Sequence, residues 1–297
     1  MSDAVGGTWT VRRLLEWSTP FFARKGVDAP RLSAELLLSH VLAAPRIKLY
    51  TDYERPLEPK ILDRYRALVQ RAAEHEPIAY LTGRAHFFNL EFEVRAGVLI
   101  PRPDTETLVE HVLQLSRNQP GFESPRVLDL CTGSGCIACA IAHHLKPATV
   151  VAIDKSEVAV EVAKANVQRL GLADRVVVEQ GDLYEALAGS VDAQPFHLIV
   201  ANPPYIPTAA VEALDRNVRD YEPMEALDGG LDGLVLHRRI LEGAADRLVE
   251  GGRVYLEIQF DQAPAARGVV AEYEAFDEVR VLKDHAGHER VLTMRKK

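Results

Sequence analysis

VLDLCTGSGCIACA, Val127–Ala140, is the stretch on which the fold turns. An apolar run ends in a turn with two glycines, and a second apolar run of helical character follows. Glycine reaches backbone conformations closed to residues with a Cβ. Gly133 and Gly135 therefore allow a tight turn and a close approach of backbone to a ligand. Gly133 to Ala138 also fits the G-x-G-x-x-A form of a dinucleotide fingerprint. Taken alone, the fragment is weak evidence, because a tight turn with no ligand has the same pattern, so its surroundings must decide.

Those surroundings repeat the pattern. After Pro125 the runs RVLDL, TVVAI, RVVVEQ, HLIVAN and RVYLEI are short, apolar and rich in β-branched residues, as buried strands are. Helical segments separate several of them; SEVAVEVAKANVQRLG has Ser156 placed as an N-cap and Gly171 just past its end. This alternation predicts an α/β fold with a doubly wound, mostly parallel sheet. DEVRVLKD and ERVLTMRK read as a closing pair of strands.

The N-terminal part differs. VRRLLEWSTPFF follows a candidate cap at Thr10, Pro30 suits a first helical position, and Leu57, Ile61, Leu62, Tyr65, Leu68 and Val69 recur at helical spacing. HFFNLEFEV then alternates, with Phe88, Leu90, Phe92 and Val94 on one face. The expected organisation is a small helical domain over 1–82, a short β-hairpin connector over 83–106 and the α/β domain over 107–297. RNQPGFESP reads as a loop.

Three carboxylates fall in register with successive strand ends. Asp154 in TVVAIDKS lies 21 positions after Gly133, where an acidic residue meets ribose hydroxyls. That geometry serves nicotinamide dinucleotides and S-adenosylmethionine alike, because both carry an adenosine ribose. Asp129 separates the two. Beside the glycines, a carboxylate attracts an ammonium and a sulfonium but repels a pyrophosphate. Asp182 in GDLYEAL follows the third strand and could accept from an adenine amino group. Each acid alone is an ordinary strand-end or capping residue; together they point to a ligand.

The fourth strand ends in VANPPYIP, Val200–Pro207. Its prolines carry no N–H and fix φ, and Asn202 is itself pushed toward extended geometry. The corner offers acceptors: the Asn202 side-chain oxygen and the Pro203 carbonyl. Two acceptors fixed in space match a planar –NH2 group, on which Tyr205 could stack. Accepting both N–H bonds turns the nitrogen lone pair toward a methyl donor and stabilises charge developing on nitrogen. The reaction class is methyl transfer to an amino nitrogen, with no Ser–His–Asp, Cys–His or metal-ligand spacing nearby.

Bulk properties narrow the partners. The 297 residues carry a net charge of −8, and no Lys/Arg-rich recognition module stands out, which disfavours a stable nucleic acid complex. No apolar run approaches a membrane span, and the N-terminal residues MSDAVGGTWT show no targeting pattern, so a cytoplasmic, membrane-free monomer is expected. Of the three cysteines, Cys131, Cys136 and Cys139, none has the fourth thiolate that an iron–sulfur site needs, and they read as small buried residues. His285 and His288 read as surface residues, and no metal is expected.

The motifs DLCTGSG, AIDKS and GDL resemble those of class I S-adenosylmethionine-dependent methyltransferases, although that family usually has glycine where this chain has Cys131. NPPY is shared by DNA and RNA amino-group methyltransferases and by glutamine-N5 protein methyltransferases. EPIAYLTGRAHFFNLEFEV, LIPRPDTE, YEPMEALDGGLDGL and DHAGHERV make the chain similar, over nearly its whole length, to the HemK/PrmC-type release factor glutamine methyltransferases. RPDTE sets it apart from the ribosomal-protein glutamine methyltransferase. The resemblance implies a Rossmann-like fold and S-adenosylmethionine as cofactor, with S-adenosylhomocysteine as product. It implies as substrate the glutamine of the Gly-Gly-Gln motif in class 1 peptide chain release factors, held partly by the helical domain. It assigns Cys131, Thr132, Gly133, Ser134, Gly135, Asp154, Leu183 and Asn202 to the cofactor, with a larger aromatic often standing at the Leu183 position. Asn202, Pro203, Pro204 and Tyr205 are assigned to the glutamine amide, and Arg102 and Asp104 to the vicinity of the site; Asp104 alternatively caps the helix that follows. A DNA or RNA amino-group methyltransferase, the glutamine methyltransferase of a ribosomal protein and a non-catalytic binding protein are the competing readings.

Overall fold

The computed structural model describes residues 8–187 and 194–297; residues 1–7, read above as free of a targeting pattern, lie outside them. The described chain forms two compact units. One holds the residues up to Gly83 together with Asp215–Tyr221; the other holds Arg84–Leu214 and Glu222–Lys297.

The first unit is helical: α1 (Val11–Lys25), α2 (Pro30–Leu42), α3 (Arg46–Thr51), α4 (Pro59–Ala73) and α5 (Ile78–Thr82). The Thr10 hydroxyl accepts from Arg13 N at 3.3 Å and starts α1, while Pro30 opens α2, where its missing N–H costs nothing. The helical spacing turns Leu62, Tyr65 and Val69 of α4 inward against Leu14, Leu15 and Phe22 of α1 and Leu37 and Leu38 of α2. Burying such side chains contributes about 1.5–3 kcal/mol each.

The second unit opens with a hairpin, β1 (Arg84–Phe87) and β2 (Leu90–Glu93). Here one expectation needs correction. Phe88 does not share the buried face with Leu90, Phe92 and Val94; it sits with Asn89 in the turn, at φ 49° and 60°. Two left-handed residues match the twist of a two-residue hairpin, so the alternation restarts at the turn and Phe87, paired with Leu90, takes the buried place.

After α6 (Glu106–Asn118) come β3 (Arg126–Leu130), α7 (Cys136–His144), β4 (Thr149–Asp154), α8 (Glu157–Arg169), β5 (Val176–Gln180) and β6 (Phe196–Ala201). β7 (Leu248–Glu257), β8 (Phe276–Lys283) and β9 (Glu289–Lys296) complete a seven-stranded sheet of order β5-β4-β3-β6-β7-β9-β8. The first five in that order pair in parallel; β9 runs antiparallel between β7 and β8, the closing pair. Alternate residues of one strand enter different cores. Val127 packs with Leu108, Val112 and Ile141 on one face, and Leu128 packs with Ile240, Leu256 and Val270 on the other. The strand order reverses between β3 and β6, and such a switch point leaves a crevice beyond the strand ends. Among the described residues no helix is long and apolar enough to cross a membrane.

Candidate active site

At the end of β3 the chain turns through left-handed conformations at Cys131, Gly133 and Gly135, with φ 57°, 57° and 78°. Gly135 then stands at the N-cap of α7, where it has no side chain to cap with. Asp129 does that work from the strand. Its Oδ2 accepts from Ala138 N at 3.1 Å, within the first turn of α7, and from the Thr132 hydroxyl at 2.6 Å. Oδ1 is buried with no partner among the described residues. Burial pushes this carboxyl up to about 7, against the pull of Thr132 and Ala138.

Asp154, at the end of β4, accepts from Gly133 N at 2.8 Å and Ser156 N at 2.9 Å, so it ties the glycine turn to the neighbouring strand. Burial raises its pKa, and those backbone N–H groups oppose the rise. Asp182 is engaged by Arg239 at 3.0 Å and Lys155 at 3.5 Å. Leu183 is buried and holds φ 53°.

A cavity of about 600 Å³ opens at this crevice, a size that suits a nucleoside-bearing ligand. Cys131, Thr132, Gly133 and Ser134 of the turn line it, as do Asp154, Asp182 and Leu183. Asn202 and Pro204 line it from the corner, and Thr105 and Arg102 from the RPDTE segment. Asp129, Gly135, Pro203 and Tyr205 are not part of this lining. The acids of the lining, Asp154 and Asp182 among them, suit a cationic ligand with hydroxyl groups better than a pyrophosphate.

The corner after β6 is braced by distant residues. Asn202 Nδ2 donates to Thr105 Oγ1 at 3.2 Å, leaving Oδ1 as its uncommitted acceptor. The Tyr205 hydroxyl donates to Glu257 Oε1 at 3.2 Å, and its carbonyl accepts from Gln262 Nε2 at 2.8 Å. Tyr205 is therefore anchored through its hydroxyl outside the cavity lining, and burial raises its pKa. Gly229 N donates to Ile206 O at 2.8 Å, and Ile206 N to Leu227 O at 3.0 Å. A Cβ on Gly229 would come 2.6 Å from the Pro204 carbonyl, and one on Gly233 would collide with the Tyr205 carbonyl. The repeated glycines of DGGLDG thus let two backbones touch.

Arg102 pairs with the buried Glu222, which also accepts from Ile100 N at 3.1 Å. Asp104 does not cap the next helix. It pairs with Arg290 at 3.1 Å, and α6 begins after Thr105 without a side-chain cap, because the Thr105 hydroxyl faces Asn202 instead. His285 is exposed against Glu110, as expected of a surface residue. Thr105, Glu257, Gln262, Gly229 and Gly233 escaped the sequence reading as site residues. The GG…G spacing of DGGLDG was the available signal for the two glycines; Glu257 and Gln262 offered none.

Residues 13–83 match the family described as PrmC N-terminal domain, and residues 103–218 match the Methyltransferase small domain. A release factor glutamine methyltransferase from Rhodopirellula baltica is 41% identical over 289 residues, covering 97% of this chain and 97% of that protein. Another, from Moorella thermoacetica, is 44% identical over 282 residues, with 95% and 96% covered. The solved hMettl16 catalytic domain, in complex with a MAT2A 3′UTR hairpin, superposes with a TM-score of 0.53 over 71% of this chain and 76% of that one. At 18% identity it speaks for the fold alone. Identity near 40% that runs almost end to end, over both the helical and the α/β parts, carries the assignment: this chain belongs to the release factor glutamine methyltransferase family.

Proposed function

We propose that this protein transfers a methyl group from S-adenosylmethionine to the N5 amide nitrogen of the glutamine in the Gly-Gly-Gln motif of class 1 peptide chain release factors. The observation that carries this reading is the Asn202 amide: its nitrogen donates one N–H to Thr105, which leaves its oxygen as an acceptor for a ligand NH2. The family's named substrate supplies the rest. When bound, the cofactor offers a sulfonium-activated methyl; Asp154 and Asp182 would take its ribose and adenine ends, and Gly133 to Gly135 its close backbone contact.

The residues of the corner then act on the substrate. An amide nitrogen is a weak nucleophile because its lone pair is delocalised into the carbonyl. Asn202 Oδ1 and the Pro203 carbonyl each accept one N–H, which fixes the lone pair in line with the methyl. As the C–N bond forms, positive charge grows on nitrogen and both acceptances strengthen, so they lower the barrier more than they tighten binding. The nitrogen then gives one proton to solvent, leaving the N-methyl amide and S-adenosylhomocysteine.

The same reading gives residues 1–82 the task of holding the release factor, with 83–106 as connector and 107–297 as catalytic domain. It makes the enzyme a cytoplasmic monomer with no stable nucleic acid partner. Incubation with methyl-labelled cofactor and an unmodified release factor tests it: label is expected on the Gly-Gly-Gln glutamine. Label absent there, or appearing in added DNA or RNA instead, rejects it.

A further inference from the structure

Two acceptors must stay fixed if a ligand NH2 is to meet the methyl in line, the Asn202 oxygen and the Pro203 carbonyl. Thr105 steadies the first. We infer that Gln262 is the positioning residue for the second, which it holds through the backbone of Tyr205. The inference rests on the methyl-transfer reading of the corner and adds one residue to it.

Gln262 is 7% exposed and stands at the N-cap of the helix Ala263–Val270, yet its side chain does not cap that helix. It turns back instead. Oε1 accepts from Gln259 N at 2.9 Å, while Gln262 N donates to Gln259 O at 3.0 Å. A backbone N–H only donates, so the side-chain oxygen must face it and the NH2 must point the other way. There two carbonyls take its two protons, Tyr205 at 2.8 Å and Asp232, more loosely, at 3.4 Å.

The room for this amide is made by a missing side chain. A Cβ on Gly233 would collide with both the Tyr205 carbonyl and Gln262 Nε2. Asp232 and Gly233 belong to the glycine loop that already touches the corner through Gly229 N and Ile206 O at 2.8 Å. One side chain therefore joins the proline corner, the glycine loop and the turn after β7. With Asn202 fixed at one end and Tyr205 at the other, the two prolines between them have little freedom left, because their rings fix φ and their peptide units are planar. Without the Gln262 donor the Tyr205 end is released, and a shift of about 1 Å in a reacting group's support costs about 10²-fold in rate.

The test is methyl transfer to a release factor by variants of the full chain, with kcat, KM and affinity for S-adenosylhomocysteine measured together. Gln262→Met keeps the length and loses every polar atom. Gln262→Glu keeps the acceptor for Gln259 N but, while ionised, cannot donate to Tyr205. Once protonated, its O–H can take the place of the lost N–H, and burial against two carbonyls holds its pKa above the ordinary carboxylate range. At about pH 8.5 both variants are expected to lower kcat about 10- to 50-fold, with KM for the release factor within about threefold and cofactor affinity within about twofold. Between about pH 8.5 and pH 6 the ratio of Gln262→Glu to Gln262→Met activity should climb about fivefold or more. The other charged groups around this amide are Glu257, bonded to the Tyr205 hydroxyl, the Asp232–Arg238 pair and Asp261. Both variants share them, so the ratio isolates the new carboxyl. A loss of packing alone gives no recovery in acid. A Gln262→Met enzyme of normal kcat, equal losses in kcat and cofactor affinity, or a ratio that is flat in pH overturns the inference.

A measurement that needs no substrate separates this from the function itself. In 15N-labelled wild type the Gln262 side-chain amide should exchange slowly with solvent. Fast exchange overturns the inference. Slow exchange in an enzyme that methylates no release factor overturns the substrate assignment and upholds the anchoring of Tyr205.

Discussion

The glycine turn after β3 and the proline corner after β6 lie at neighbouring strand ends, yet they are held in opposite ways. The turn is braced mainly from nearby in the chain: Asp129 reaches Thr132 and Ala138, and Asp154 reaches back 21 residues to Gly133. The corner depends on residues far away. Thr105 is 97 positions from Asn202, and Glu257 and Gln262 are 52 and 57 from Tyr205. Glycines supply freedom that local carboxylates then remove. Prolines supply stiffness, but a stiff segment still has to be aimed, and here the aiming comes from across the fold.

The largest expected effect breaks the corner while sparing the turn. Asn202→Ala should lower kcat about 10²- to 10³-fold, while cofactor affinity, measured by calorimetry, changes about threefold or less. Equal losses in both would put Asn202 in cofactor binding alone.

Next comes the brace behind the corner. Gly233 holds φ 73° against the Tyr205 carbonyl, so Gly233→Ala adds both strain and overlap and should cost about 2–4 kcal/mol in urea unfolding. Gly133 has φ 57° but open space where a Cβ would go, so Gly133→Ala should cost only about 1 kcal/mol. A reversed order would mean that the turn is the more tightly packed of the two.

Each region also buries one carboxyl raised to about 7, Asp129 at the turn and Glu257 behind the corner. Their unfolded values lie near 3.8 and 4.5, so the folded state holds protons that the unfolded state releases. The stability they contribute is full below those values and is lost as pH rises through about 7, by up to about 4 kcal/mol for Asp129 and about 3 kcal/mol for Glu257. The thermal midpoint should fall between pH 5 and pH 8, and Glu257→Gln should flatten that slope; a midpoint rising over this range would contradict the burial.

The smallest effect runs the other way. Cys131 occupies φ 57° without being glycine, so Cys131→Gly should relieve strain and raise stability by about 0.5–1 kcal/mol, with cofactor affinity within about twofold. A loss of stability would show that the half-buried thiol's packing outweighs the strain.

The same contrast explains what could be read in advance. The alternation of strands and helices, the caps at Thr10 and Ser156 and the acids at the ends of β4 and β5 are short-range patterns, legible in any window of a dozen residues. Phe88 was misplaced because a two-residue turn resets the strand period, and nothing in HFFNLEFEV marks the reset before the chain reverses. Asp104 was misread as a cap because its partner, Arg290, lies on β9 at the far end of the sequence. The partner of the Tyr205 hydroxyl, Glu257, lies 52 residues further on, where no local pattern names it.

The sequence by itself determined that a glycine turn and a proline corner stand at two strand ends of a doubly wound sheet, because backbone freedom, stiffness and hydrophobic period are properties of neighbouring residues. Only the tertiary structure decided which way the Asn202 amide faces. That choice belongs to the Thr105 hydroxyl, 97 residues away, which folding brings to Asn202 and no local pattern records.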